Sequence, residues 1–174
     1  LSSASRPSGG YFERVGEAWK RAGEEGDAAM EDPNKDALAE GAKMIASGVC
    51  HSDLSIWTGH LPREFPIVLG HEGAGVVQEV GPGVTNVKTG DHVVLTYLPS
   101  CGRCRWCHQG QPTLCDLGQY LRSGKMLDGT TRLHRAKDGK DLFNLLFVST
   151  FAEYSVAPDA SLVKAPEYLP LERL

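Results

Sequence analysis

Apolar positions are sparse through the first 40 or so residues of this 174-residue chain, a stretch rich in Gly, Ala and Glu. Where they recur, at Phe12, Val15, Trp19 and Ala22, they fall roughly on one helical face and predict a short amphipathic helix. Gly16, Gly23 and Gly26 break that pattern, and a weakly ordered tail fits it equally well. From Lys43 to about Gln119 the texture becomes β-rich. "AGVVQEVG" and "DHVVLTYL" read as strands, enriched in Val and Tyr and bounded by turn signals. "GPGV" at 81–84 and "KTGD" at 88–91 are tight turns, since Gly tolerates positive φ and Pro fixes its own. Residues 120–150 read as a long excursion with "LDGT" and "KDGK" turns, and "FAEYSVAP" alternates as a returning strand would. "YLPLERL" at the end could begin a helix. Short strands punctuated in this way predict a small barrel or sandwich.

Composition narrows the partners. An apolar fraction of 41% and a charged fraction of 23% are ordinary for a globular protein. A net charge of −4 gives no general attraction to nucleic acid or anionic membrane. No apolar run is long enough to span a bilayer, and "LSSASRPSGG" lacks the apolar core of a secretory signal.

The cysteines change the picture most. Four of the five lie in "CGRCRWCHQGQPTLC", at Cys101, Cys104, Cys107 and Cys115. Two-residue gaps let tight turns aim neighbouring sulfurs at one centre, and the longer loop before Cys115 closes a tetrahedron from the other side. Zinc favours such a shell, and an all-thiolate shell leaves no position for water, so the lobe is expected to be structural. A disulfide framework suits the odd count poorly. A four-iron cluster also uses C-x2-C-x2-C, but the ferredoxin run continues with C-x3-C-P, and here Cys115 comes later and precedes Asp116. A reducing, cytoplasmic setting follows as the default.

The fifth thiol, Cys50, sits in "CHSD", and 21 residues later His71 stands in "GHEGAG". Taken alone, Cys50 is an apolar thiol and His71 a satisfied imidazole. The glycines around His71 permit close bending of the backbone. Arg103, Arg105 and Trp106 give the lobe some appeal as a phosphate or base binder, and a non-enzymatic zinc module is the alternative function. The net acidity and the missing basic stripe weigh against nucleic acid.

"CHSD", the "GHEGAG" signature running on to Val84, the Cys50–His71 spacing and the four-cysteine lobe, in this order, resemble the zinc-dependent medium-chain alcohol dehydrogenases. "LDGTTR" followed by "STFAEYSV" is similar to the glutathione-dependent formaldehyde dehydrogenase and nitrosoaniline-dependent branches. The resemblance implies a mainly β fold, a GroES-like β-barrel with a zinc-bound lobe, partial at its N-terminus and without the Rossmann domain. Residues 1–42 would be an atypical segment. Residues 43–174 would be the catalytic domain, with the structural zinc lobe at 101–115.

It further implies that Cys50 and His71 are protein ligands of a catalytic zinc, which acts as a Lewis acid on a substrate hydroxyl. Ser52 would take the substrate proton, and Asp53 would orient His71. Glu72 would be a carboxylate able to approach the metal, His51 would meet the coenzyme pyrophosphate, and Leu61 and Tyr97 would line the substrate pocket. The implied activity is oxidation of a small alcohol to a carbonyl with hydride transfer to NAD. The implied parent is a homo-oligomer, with no nucleic-acid or membrane partner.

Three departures from the family pattern stand out. Ser55 occupies a position where many members carry a relay His. The opening strands of the family barrel have no counterpart in residues 1–40, although "EGAKMIASGVC" resembles the last of them. A third zinc-ligating Cys and a G-x-G-x-x-G fingerprint are absent from these 174 residues, so the isolated chain is expected to be inactive.

Overall fold

The computed structural model describes residues 40–174. The helical pattern at residues 12–22 lies outside them. The described residues are mainly β, as expected. Their strands are β1 (Glu40–Gly48), β2 (Ile67–Val68), β3 (Glu72–Glu79), β4 (His92–Leu95), β5 (Leu133–His134), β6 (Asp141–Asn144), β7 (Tyr154–Ala157) and β8 (Leu162–Lys164). Two short helices join them, α1 (His51–Trp57) and α2 (Arg105–His108). None of the described helices is long and apolar enough to cross a membrane.

Five strands form an antiparallel sheet in the order β7-β1-β3-β4-β8. The expected strands "AGVVQEVG", "DHVVLTYL" and "FAEYSVAP" supply β3, β4 and β7. "EGAKMIASG" is β1, paired along β3 with register shifts at Gly41/Ala42 and Met44/Ala46. Such bulges bend and twist a strand, and beyond them Ser47 lies opposite Gly73 and Gly48 opposite Glu72. Ala42, Val77, Val93, Leu95, Val148, Ala157 and Leu162 pack together as the core on one side of this sheet. The turn ahead of β4 is pinned by buried Asp91, which accepts from the Lys88 N–H at 3.0 Å and from Lys164 Nζ at 2.7 Å.

A smaller sheet runs β2-β6-β5, with β2 parallel to β6. Two of its strands fall in the stretch expected as an excursion. The "KDGK" turn does close there, with the Arg135 N–H donating to the Lys140 carbonyl, but strands of two and four residues are too short to display alternation. After β6 the chain enters a buried loop in which three non-glycine residues take positive φ: Leu146 (53°), Phe147 (70°) and Ser149 (46°). L side chains pay for that geometry sterically. Phe147 and Val148 repay it here by being fully buried. "YLPLERL" ends in a single 3-10 turn, Leu171–Arg173, with Leu171 buried.

Candidate metal centre

The four lobe thiols converge. Cys101, Cys104, Cys107 and Cys115 are unpaired by disulfides, and their sulfurs all lie within 4.8 Å of one another. A tetrahedral zinc with bonds of about 2.3 Å needs sulfurs about 3.8 Å apart, so a small contraction would seat the ion. Cys104 caps α2, which turns Cys107 back toward it, and the 3-10 turn Pro112–Leu114 delivers Cys115. Backbone N–H groups aim inward at the sulfurs. Those of Asp116 and Cys107 bring the Cys104 thiol down to about 6, and that of Arg103 lowers Cys101. Burial pushes Cys115 up to about 11. A buried thiol that resists ionisation beside others that ionise readily is a donor set a divalent cation would complete.

The second cluster is assembled from distant parts of the chain. Cys50 follows β1 as the cap of α1, while His71 and Glu72 sit where β2 gives way to β3. One ligating atom from each of Cys50, His71 and Glu72 lies within 4.8 Å of the others. His71 is 5% exposed, and its Nε2 faces Glu72 Oε1 at 3.9 Å. Asp53, one turn into α1 and 3% exposed, ties the two ligand-bearing segments together. It accepts from the Cys50 N–H at 3.1 Å and from the Gly70 N–H at 2.9 Å.

Asp53 Oδ1 lies 3.5 Å from His71 Nδ1, so the ring faces the carboxylate across a long contact without a well-formed hydrogen bond. That carboxylate nevertheless raises the His71 pKa above its ordinary value against the effect of burial. The Ser52 hydroxyl, 3.3 Å from Cys50 Sγ, is the main cause of a lowered Cys50 pKa. Nδ1 held toward a carboxylate and Nε2 turned to a thiol and a second carboxylate is the arrangement a metal-binding histidine needs.

His71 and Glu72 open onto a cavity of about 510 Å³ lined also by Ser47, Thr96, Tyr97 and Glu172 among others. Tyr97 stands edge-on to the His71 ring, centroids 5.6 Å apart and planes at 87°. Leu61, expected at the pocket, is exposed and does not line this cavity. His51 is also exposed, with Nδ1 3.2 Å from the Ser55 hydroxyl. The sequence pointed to neither Ser47 nor Thr150, whose hydroxyls both reach the Glu72 carbonyl, at 2.8 and 3.0 Å.

A strand-rich domain carrying a four-thiol lobe and a separate Cys–His pair defines a class of zinc-binding oxidoreductase domain. Residues 42–167 match the alcohol dehydrogenase GroES-like domain, and the chain belongs to that family, the zinc-dependent medium-chain alcohol dehydrogenases. It is 46% identical over 146 residues to the NDMA-dependent alcohol dehydrogenase of Amycolatopsis methanolica, covering 82% of this chain and 39% of that protein. It is 46% identical over 133 residues to the S-(hydroxymethyl)glutathione dehydrogenase of Aspergillus oryzae, covering 75% and 34%. Among solved structures, an alcohol dehydrogenase zinc-binding domain protein from Burkholderia ambifaria superposes with a TM-score of 0.72 at 40% identity, over 78% of this chain and 37% of that one. The chain thus spans between 34% and 39% of the length of these relatives.

Proposed function

We propose that these residues form the catalytic-domain part of a zinc-dependent enzyme that oxidises a small alcohol to a carbonyl, with hydride passing to NAD. The observation that carries this proposal is the convergence of Cys50, His71 and Glu72 on one another beside a cavity that His71 and Glu72 line, with Asp53 behind the imidazole. A divalent ion held by Cys50 and His71 would supply Lewis acidity for the substrate hydroxyl. Asp53 holds the Cys50 and Gly70 backbones and faces the imidazole, so both ligands keep their aim. The Ser52 hydroxyl, beside the Cys50 sulfur, can accept a proton and donate one at once. Glu72 lies near enough to enter the ligand set. His51, exposed at the start of α1, is free to meet a coenzyme phosphate.

Cys101, Cys104, Cys107 and Cys115 would hold a second zinc that closes the lobe and takes no part in the reaction. All five cysteines are then assigned and no dinucleotide fingerprint is present, so these 174 residues alone are expected to show no turnover. Metal analysis tests the proposal. The zinc-loaded chain is expected to bind two ions, one tightly in the lobe and one more weakly, and Cys50→Ser or His71→Ala should abolish the weaker site alone. A chain that binds one ion, unaffected by either substitution, would overturn it.

A further inference from the structure

The peptide bearing His71 and Glu72 is gripped by a short piece of chain almost eighty residues away. Ser149 Oγ donates to the Val68 carbonyl at 2.9 Å, the Phe151 N–H to Leu69 at 3.0 Å, and the Thr150 N–H to Gly70 at 3.0 Å. Thr150 Oγ1 then donates to the Glu72 carbonyl at 3.0 Å. Four carbonyls flanking the imidazole are thus held by three consecutive residues. We propose, resting on the metal centre set out above, that Thr150 is a positioning residue whose hydroxyl and methyl group fix the orientation of His71 and Glu72 toward the ion.

Both halves of the Thr150 side chain take part. Its hydroxyl also lies 2.7 Å from that of Ser47, which reaches the same Glu72 carbonyl from β1. Two hydroxyl protons serve three contacts, so in every arrangement at least one of them is donated to the carbonyl. The side chain also closes on the glycines that flank the ligand pair, its methyl on Gly73 and its hydroxyl on Gly70. A Cβ on Gly73 would come within 2.7 Å of Thr150 Cγ2, and one on Gly70 within 2.6 Å of Thr150 Oγ1 and of the Phe151 backbone nitrogen. Gly70 also takes φ of 94°, which L side chains rarely adopt. The ligand peptide therefore has no slack on either flank. Thr150 itself is 1% exposed, so its side chain is held inside the fold rather than at its surface.

Cobalt titration of the full chain, with the four-thiol lobe first filled by zinc, reads this directly. The Cys50–His71 site should give visible cobalt bands. In Thr150→Val, which keeps the branched shape and loses the hydroxyl, affinity at that site should fall roughly tenfold with altered band positions. Thr150→Ser should restore most of the affinity. The lobe, titrated separately in the zinc-free chain, should bind cobalt unchanged in every variant, whereas a folding defect would show as a lost melting transition of the zinc-loaded chain. Should Thr150→Val not fold, Ser47→Ala tests the same carbonyl from the other side, with an expected loss of several-fold. Wild-type affinity and spectrum in foldable Thr150→Val, or in Ser47→Ala where that variant is the one tested, would overturn the proposal while leaving the metal centre standing. Absence of any second cobalt site in the unmodified chain would overturn both.

Discussion

In the lobe, fifteen residues supply all four sulfurs, and the turns between them do the aiming. At the other centre the clustered side chains come from the cap of a helix and the seam between two strands. They are steadied by Asp53 beneath and by Ser47 and Thr150 from β1 and a distant loop. A local site depends on its metal for order; an assembled site depends on the fold. The first should collapse when the ion leaves, and the second should persist as a cavity with or without it.

The sharpest way to break that contrast is Cys104→Ser. Structural zinc contributes apparent binding energies of about 10–16 kcal/mol to small folded units, so losing one thiolate should release the lobe ion and open residues 101–115 to protease, while β1 to β4 and the Cys50–His71 site survive. Limited proteolysis with zinc counting would show it. Equal disruption of both centres would mean that the lobe props up the whole domain.

Next in size is Asp53→Asn. The amide keeps one acceptor oxygen and turns its NH2 group toward the other of the two N–H donors, leaving that donor unsatisfied at a cost of about 1–3 kcal/mol. Ion affinity at Cys50–His71 should fall by roughly 10- to 100-fold with no change in the lobe. Calorimetric melting and competitive chelation measure the two effects separately.

A smaller effect concerns pH and belongs to neither centre. The Lys164 ammonium bonded to Asp91 holds that carboxyl below its ordinary value. A depressed folded pKa means that the stabilisation is complete above the unfolded value near 4 and drains away as pH falls through the folded one. Asp91→Asn should flatten the melting temperature between about pH 5 and pH 2, and an unchanged slope would show that the ion pair is not the cause. Smallest of all is Leu61→Ala: an exposed side chain outside the cavity should shift stability by no more than about 0.5 kcal/mol and leave both ion affinities alone.

The same contrast explains what could be foreseen from residues alone. The lobe was legible because its spacing is its geometry. Cys50, His71, Asp53 and Glu72 were legible through resemblance to a family, since "CHSD" and "GHEGAG" carry no distance between them. The strands β3, β4 and β7 showed in their Val and Tyr content. β2 and β5, two residues each, could not. Thr150 left no mark because its partner Glu72 lies 78 residues away and its hydroxyl meets a carbonyl, a group every residue has. Leu61, expected at the pocket by resemblance, does not line the cavity beside His71.

The left-handed residues ahead of Thr150 carry a consequence for engineering. Leu146, Phe147 and Ser149 take a sterically costly bend that is held by the core around it and by the Ser149 hydrogen bonds to Leu145 and Val68. Shaving methyl groups from Val77, Val93 or Val148, even without unfolding the sheet, should let the bend relax and detune the ion site from a distance. Substitutions meant to harden this domain are therefore better placed on its surface than among these three valines.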